Sequence, residues 1–478
     1  MIKKFLTYGI GYVGSALIGI LTVPFLTRVL SPEEYGKGSL FITLVTLMFY
    51  VCNAGLLQGY ERFFYDKKYT ENKERLFFQA LLSILIIFCV TFLLLFFLKS
   101  KFIRFFFGSN DISIYYLLIV GVLFYILNSF FVLAIRMKQY AGLFSLAQIF
   151  NGLGYLLAIV FFYYFYGIDS FMLIIYSQIT MLIVVTLFTA ILNLETLRNF
   201  DIKSTFKIEE LNNLLRYSWP FVFSLIVLWG MQYIDRIFLI QLSSFNDLGI
   251  YSASYTLIAP LFLFQSAFAI LWVPIGMNII INHPYKGRFI YSVIFKNITS
   301  IVLLSMVLIY CFKGFIPLFL GSNFSESANI FIWFMLIPLF TIADQLLNAG
   351  IFSSKKTHWT IVATIFGFIF NIVFCILYIP TYGAIGAAIS LVVGNFVYIL
   401  VKLYSCNIHY KYYIDYKHFF GSVLMFVICF IFCYIDTLHW VSWVFLFFIF
   451  IYQSANILNK TNIRSVKVMM KCIQKIND

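Results

Sequence analysis

Residues 102–110 read FIRFFFGSN, and residues 315–323 read FIPLFLGSN. Six of the nine positions are identical, and the copies begin 213 residues apart. Each is followed by an apolar run long enough to cross a bilayer. One such match is weak, but two further echoes occur in the same order. FYGI at 165–168 returns as TYGA at 381–384. LTRVLSPEEYG, after the first apolar run, resembles IDRIFLIQLSSFNDLG after the seventh, an alignment that sets Arg28 beside Arg236. The chain therefore reads as a repeat of six apolar spans. Six is even, so both copies enter from the same side. Two such lobes are related by an axis along the membrane normal, an arrangement that suits a pathway between lobes and alternating access.

The 478 residues are 62% hydrophobic and only 11% charged, with a mean hydropathy of +0.95. A soluble protein carries about a quarter charged residues, so lipid must be the solvent here. A spanning helix needs about 20 mostly apolar residues. Fourteen runs qualify: 5–27, 36–60, 76–98, 112–135, 143–166, 170–192, 214–241, 249–275, 289–312, 327–352, 359–380, 384–404, 418–435 and 440–457. The last two are short, and twelve is the main competing count. The expected fold is an all-α polytopic membrane protein of about fourteen transmembrane helices. An N-terminal six-helix lobe (1–195) and a C-terminal one (214–405) are joined by a cytoplasmic loop (196–213). Two extra helices and a basic cytoplasmic tail (406–478) follow. No connection is long enough to hold an enzyme core.

The formal net charge is +14. With the N-terminus inside, the cytoplasmic connections, in which we count Lys402, hold 25 of the 33 Lys and Arg residues. A bias of this size places both termini in the cytoplasm. Basic residues scattered in short groups do not make a nucleic-acid surface. The first run, 5–27, is too long for a signal-peptide core and reads as a retained span. The eight cysteines contain no C-x-x-C pair and sit mostly in apolar runs, so neither a disulfide frame nor a metal site is expected. GxxxxGK[ST], HExxH and G-x-S-x-G are all absent. No catalytic residue, cofactor or direct use of ATP is expected, and the chain is not read as an enzyme.

Charges within spans are costly and mark protein-facing or wet positions. Arg28 falls at the outer end of the first span and Arg236 in the outer third of the seventh. A guanidinium suits a diphosphate, because it is always charged and donates in pairs. Both arginines are candidate substrate-binding residues, with snorkelling or pairing to Glu33 or Glu34 as the alternative for Arg28. Asp235, Asp344 and Asn348 are candidates for ion coupling or cavity lining. Asp344 and Asn348 share a helix face. Lys296 reads as snorkelling. Asn53, Gln58, Asn151, Gln178, Gln232, Asn371 and Asn395 add span amides that could bond sugars or other helices.

Four segments, PFLTRVLSPEEYGKGSL, WGMQYIDRIFLIQLSSFNDLGIYSASY, FFFGSN/LFLGSN and FNIVFCILYIPTYGAIGAAIS at 370–390, resemble the polysaccharide-biosynthesis flippases of the multidrug/oligosaccharidyl-lipid/polysaccharide exporter superfamily. Within it they resemble the bacterial O-antigen flippases, which move undecaprenyl-diphosphate-linked glycans. The resemblance implies a bacterial inner-membrane protein with a cationic central cavity. It implies a lipid-linked anionic oligosaccharide and membrane lipid as partners, alongside the glycan polymerase and glycosyltransferases of the same pathway. The alternatives are an ion-coupled multidrug antiporter of the same superfamily, which would want more embedded acids, and a membrane glycan polymerase, which would carry a large outer loop.

Overall fold

In hydrocarbon a backbone has only itself to bond, so long apolar runs fold as helices. The computed structural model describes residues 2–66, 73–198, 207–259, 284–311, 313–410, 414–433 and 439–458, with isolated positions between 261 and 280. Every regular element among them is helical. In chain order these are α1 (Ile2–Val29), α2 (Pro32–Asn53), α3 (Leu56–Phe63), α4 (Lys73–Phe107), α5 (Ser113–Met137), α6 (Ala141–Tyr166), α7 (Met172–Leu192), α8 (Leu194–Arg198) and α9 (Ile208–Leu242). Then come α10 (Phe245–Thr256), α11 (Pro284–Cys311), α12 (Ile316–Phe319), α13 (Ser327–Phe334), α14 (Leu336–Ser353), α15 (His358–His409), α16 (Tyr416–Cys433) and α17 (His439–Leu458). Part of the expected span 249–275, residues 199–206 of the loop 196–213 and the tail beyond 458 lie outside the described residues.

Among the described residues ten helices are long and apolar enough to cross a membrane, α13 and α14 crossing as one. One of the ten, α15, has 52 residues. At 1.5 Å per residue it would be about 78 Å long, more than twice a hydrocarbon core of roughly 30 Å. It is two spans in succession. Gly383, at φ 53° and ψ −126°, breaks the helix where TYGA was expected to turn, with Pro380 just before it. Gly167, in the matching FYGI segment, ends α6 at φ 63°. With α15 counted twice and the shorter apolar helices α16 and α17 added, thirteen of the fourteen expected spans are accounted for.

The helices gather into two compact units, Met1–Ser252 and Ala253–Asp478. In the first, α1 packs on α6, α6 on α7, and α5 on α2 and α7, while α9 lies along α2 and α3. The small-residue face of α1 meets α6, with Gly11 against Ser145 and Ser15 against Gly152. The compact boundary thus falls inside α10, and α9, the helix that the repeat makes the opening span of the second lobe, belongs to the first unit. In the second unit α14 packs on α15, α16 on α17, and α11 on α14 and α17. The two C-terminal helices are tied in by a buried polar network. His418 Nε2 lies 2.9 Å from Gln453 Oε1 and 3.2 Å from Ser300 Oγ, and Gln453 donates to Ser422 at 2.7 Å.

The starts of α2 and α10 show the repeat in three dimensions. Ser31 and Ser244 each accept from the N–H three residues on, that of Glu34 at 3.3 Å and of Asp247 at 3.1 Å. These hydroxyls satisfy amides that an α-helix start leaves unpaired. A Cβ on Gly36 would collide with the Phe245 carbonyl oxygen, and a Cβ on Gly249 with the Pro32 carbonyl oxygen. Ser39 and Ser252 share a hydrogen bond of 2.9 Å across 213 residues of chain. All these pairs keep the spacing of the FIRFFFGSN repeat. Each contact has its equal and opposite, as a two-fold axis requires.

This register corrects one expectation. Arg28 lies three residues before its cap serine, while Arg236 lies eight before Ser244. Helix starts fix the equivalence, so Arg28 corresponds to Gln241 and Arg236 to Val23. The two arginines are not repeat partners.

Candidate functional site

Arg236 is placed by the packing of α9 on α2. Trp229 Nε1 donates to Thr46 Oγ1 at 3.2 Å, and further along the same helix Arg236 Nη1 donates to Thr43 Oγ1 at 3.0 Å. The guanidinium lies 5.1 Å from the Tyr233 ring centroid, and the residue is 8% exposed. Its neighbour Asp235 is fully buried, and neither carboxylate oxygen has a hydrogen-bond partner. Successive helical residues point about 100° apart, so the two charges sit on different faces of α9.

Arg28 is exposed in the last turn of α1, where a cation also complements the helix dipole. The acids considered as its partners have other contacts. Lys37 pairs with Glu33 at 2.8 Å and with Glu34 at 3.3 Å, and Glu34 Oε2 accepts from the Phe171 N–H at 2.6 Å, at the start of α7.

In the second unit Asp344 and Asn348 come together as their spacing foretells, Asn348 Nδ2 donating to Asp344 Oδ2 at 3.1 Å. A third charged residue joins them. Lys402, on the second half of α15, is fully buried, pairs with Asp344 and donates to Asn348 Oδ1 at 2.7 Å. Tyr398 donates to Asp344 Oδ1 at 2.9 Å. The expectation that Lys402 belongs to a cytoplasmic connection therefore does not hold. The reason is energetic: a buried ammonium needs a buried counter-charge, and Asp344 supplies it.

Lys296, read as snorkelling, pairs with Asp415 at 3.0 Å. Asp415 lies in the connection between α15 and α16. Burial works to raise its carboxyl pKa, but the His418 N–H and the Lys296 ammonium outweigh that and hold it below the ordinary value.

The span amides divide by environment. Asn53 donates to Gln58 at 3.3 Å, and Asn395 bonds back to the Leu391 carbonyl at 2.8 Å. Asn371 is buried and accepts from the Cys375 thiol at 3.4 Å. Gln58, Asn151 and Gln178 instead line a cavity of about 420 Å³ inside the first unit. Asn128 and Gln148, which spacing alone does not single out, line it too. A second cavity, of about 540 Å³, lies among the connections, where Lys73, Glu74, Lys138 and Glu195 mix both signs of charge.

Among the described residues no cluster of three or more His, Cys, Asp or Glu could hold a metal ion. The family described as "Polysaccharide biosynthesis protein" matches residues 1–275. No curated protein matches the chain. Among solved structures, the lipid II flippase MurJ in an inward closed conformation superposes with a TM-score of 0.71 at 16% identity, over 94% of this chain and 98% of that one. An inward-facing multidrug resistance transporter of the MATE family, MOP superfamily, superposes with a TM-score of 0.60 at 16% identity, over 85% of this chain and 93% of that one. A MOP superfamily transporter from Pyrococcus furiosus, described as having a binding pocket of reversed polarity, gives 0.58 at 16% identity, over 84% and 93%.

Proposed function

The chain belongs to the polysaccharide biosynthesis protein family, and on that premise we propose that it is a flippase for an undecaprenyl-diphosphate-linked oligosaccharide. The cargo is an O-antigen or similar surface-glycan repeat unit, moved across the bacterial inner membrane by alternating access of two six-helix lobes. One observation carries the reading beyond the family: a guanidinium, that of Arg236, is held buried between α9 and α2. A buried positive charge is expensive in a chain this apolar. It is justified where a diphosphate must leave water, because paired, charge-assisted N–H donors replace the lost hydration. Arg28, exposed at the outer end of α1, draws the head group along the same path. The prenyl tail stays in lipid.

The crossing of α2 and α10 is the outer closure. Its glycines allow backbone-to-backbone contact, and a single serine–serine bond holds its centre. Asp235 is the coupling group we favour. It is fully buried on α9, next in the chain to Arg236. Asp344 is neutralised by Lys402 and braces α14 against α15.

Deletion of the gene, followed by locating the undecaprenyl-linked intermediate on either leaflet, tests the reading. Build-up on the cytoplasmic leaflet, with loss of surface glycan, is the expected result. Even distribution with single repeats at the surface would mark a polymerase. Altered drug susceptibility with normal glycan would mark an antiporter. Normal surface glycan in the Arg236→Glu variant at native expression would end the role given to that arginine.

A further inference from the structure

The cavity inside the first unit is chemically unlike the surroundings of Arg236. Five carboxamides line it, those of Gln58, Asn128, Gln148, Asn151 and Gln178. Each would be costly to leave in hydrocarbon. Asn128 is 9% exposed; its Nδ2 donates to Asn151 Oδ1 at 3.2 Å, while its own Oδ1 has no partner. Among the described residues the only charges on the wall, Glu61 and Arg136, are bonded to each other. Tyr12 and Tyr125 contribute aromatic rings. The volume, about 420 Å³, is within the range of roughly 300–1,000 Å³ for small-ligand sites.

This lining selects among ligand classes. A diphosphate needs a surplus of positive charge and a cationic drug a surplus of negative, and the wall offers neither. Carboxamides present donors and acceptors side by side without charge. That pattern matches a ring carrying several hydroxyls, whose C–H faces lie well on aromatic rings. We propose that this cavity is a binding site for uncharged sugar residues of the head group, distinct from the diphosphate site at Arg236. The proposal rests on the flippase reading for what the cargo is, and the cavity itself argues for the sugar class.

The test uses the full-length protein in lipid nanodiscs and saturation-transfer NMR. The probes are methyl glucoside, methyl N-acetylglucosaminide, inorganic pyrophosphate and tetraphenylphosphonium. Both glycosides should bind, and the Asn128→Leu/Gln178→Leu variant should weaken them about tenfold, the effect of losing one or two buried hydrogen bonds. The other two probes should not compete with them. Equal glycoside binding in the variant, or displacement by tetraphenylphosphonium, overturns the proposal. Should the double variant not fold, Asn128→Asp keeps the side-chain shape and removes the amide donor. The same weakening is expected of it, and unchanged binding overturns the proposal equally. Glycoside binding without a leaflet phenotype on deletion sinks the flippase and leaves the sugar site. A cytoplasmic build-up with glycosides that miss the cavity sinks the site alone.

Discussion

Asp344 and Lys402 stand 58 residues apart in sequence and touch in the fold. Removing one partner leaves the other charge buried and alone, which costs about 3–5 kcal/mol. Lys402→Met should therefore lower the thermal midpoint of the purified protein sharply. Asp344→Leu combined with Lys402→Met should recover most of that loss, since an apolar pair of similar size needs no counter-charge. The i, i+4 spacing is enough by itself to make Asp344 and Asn348 neighbours on one helix face. It says nothing of Lys402, because no feature local to residue 402 tells that the second half of α15 faces α14. Arg236 is similar: its depth in a span can be read from the sequence, its contact with Thr43 cannot. Asp415 makes a different prediction. Its folded pKa lies below its ordinary value of 3.8, so ionised Asp415 stabilises the fold above that value. The contribution fades as pH falls through the lower folded value. Asp415→Asn should lower the thermal midpoint at neutral pH, where the ionised carboxylate contributes, flatten the fall in stability below about pH 4, and differ least from the parent at the lowest pH, as a melt series across pH would record.

Among the elements, α2 and α10 carry the most direct test of the moving parts. The Ser39 and Ser252 hydroxyl oxygens are 2.9 Å apart, close enough that cysteines there should form a disulfide. The Ser39→Cys/Ser252→Cys variant should stop glycan export under oxidising conditions and regain it on reduction. Export that continues with the bond formed would remove this crossing from the transport cycle. At Gly383 the backbone sits where a Cβ is strained, so Gly383→Ala should destabilise the protein by about 1–3 kcal/mol, measured by thermal melting. The turn between spans at 381–384 follows from sequence, since Pro and Gly punctuate an apolar run. The register of the repeat follows only in part. FIRFFFGSN gives the correct spacing by itself, but the arginines invite a shorter one. Only the capping serines and the crossing glycines show which spacing the backbone obeys.

For the whole molecule, hydropathy and length are nearly sufficient. Lipid forces each apolar run into a helix, so thirteen of the fourteen expected spans are found among the described residues. The compact units do not follow from hydropathy, because α9 packs with helices that precede it in the chain. Orientation rests on the distribution of Lys and Arg. A phosphatase that folds only outside the cytoplasm should be active when fused after Asn110 and inactive when fused after Lys138. The reverse pattern would invert the topology. The crossing at Gly36 and Gly249 has a consequence for ancestry. A patch that meets its own copy about a two-fold axis is what a symmetric dimer is made from. A half-length protein that paired with its twin at this glycine, its gene later doubled and fused, would leave this geometry. Before such a fusion, one substitution there would strike both faces of the joint at once. Afterwards the faces could diverge, and the proline of one helix start now stands opposite the phenylalanine of the other.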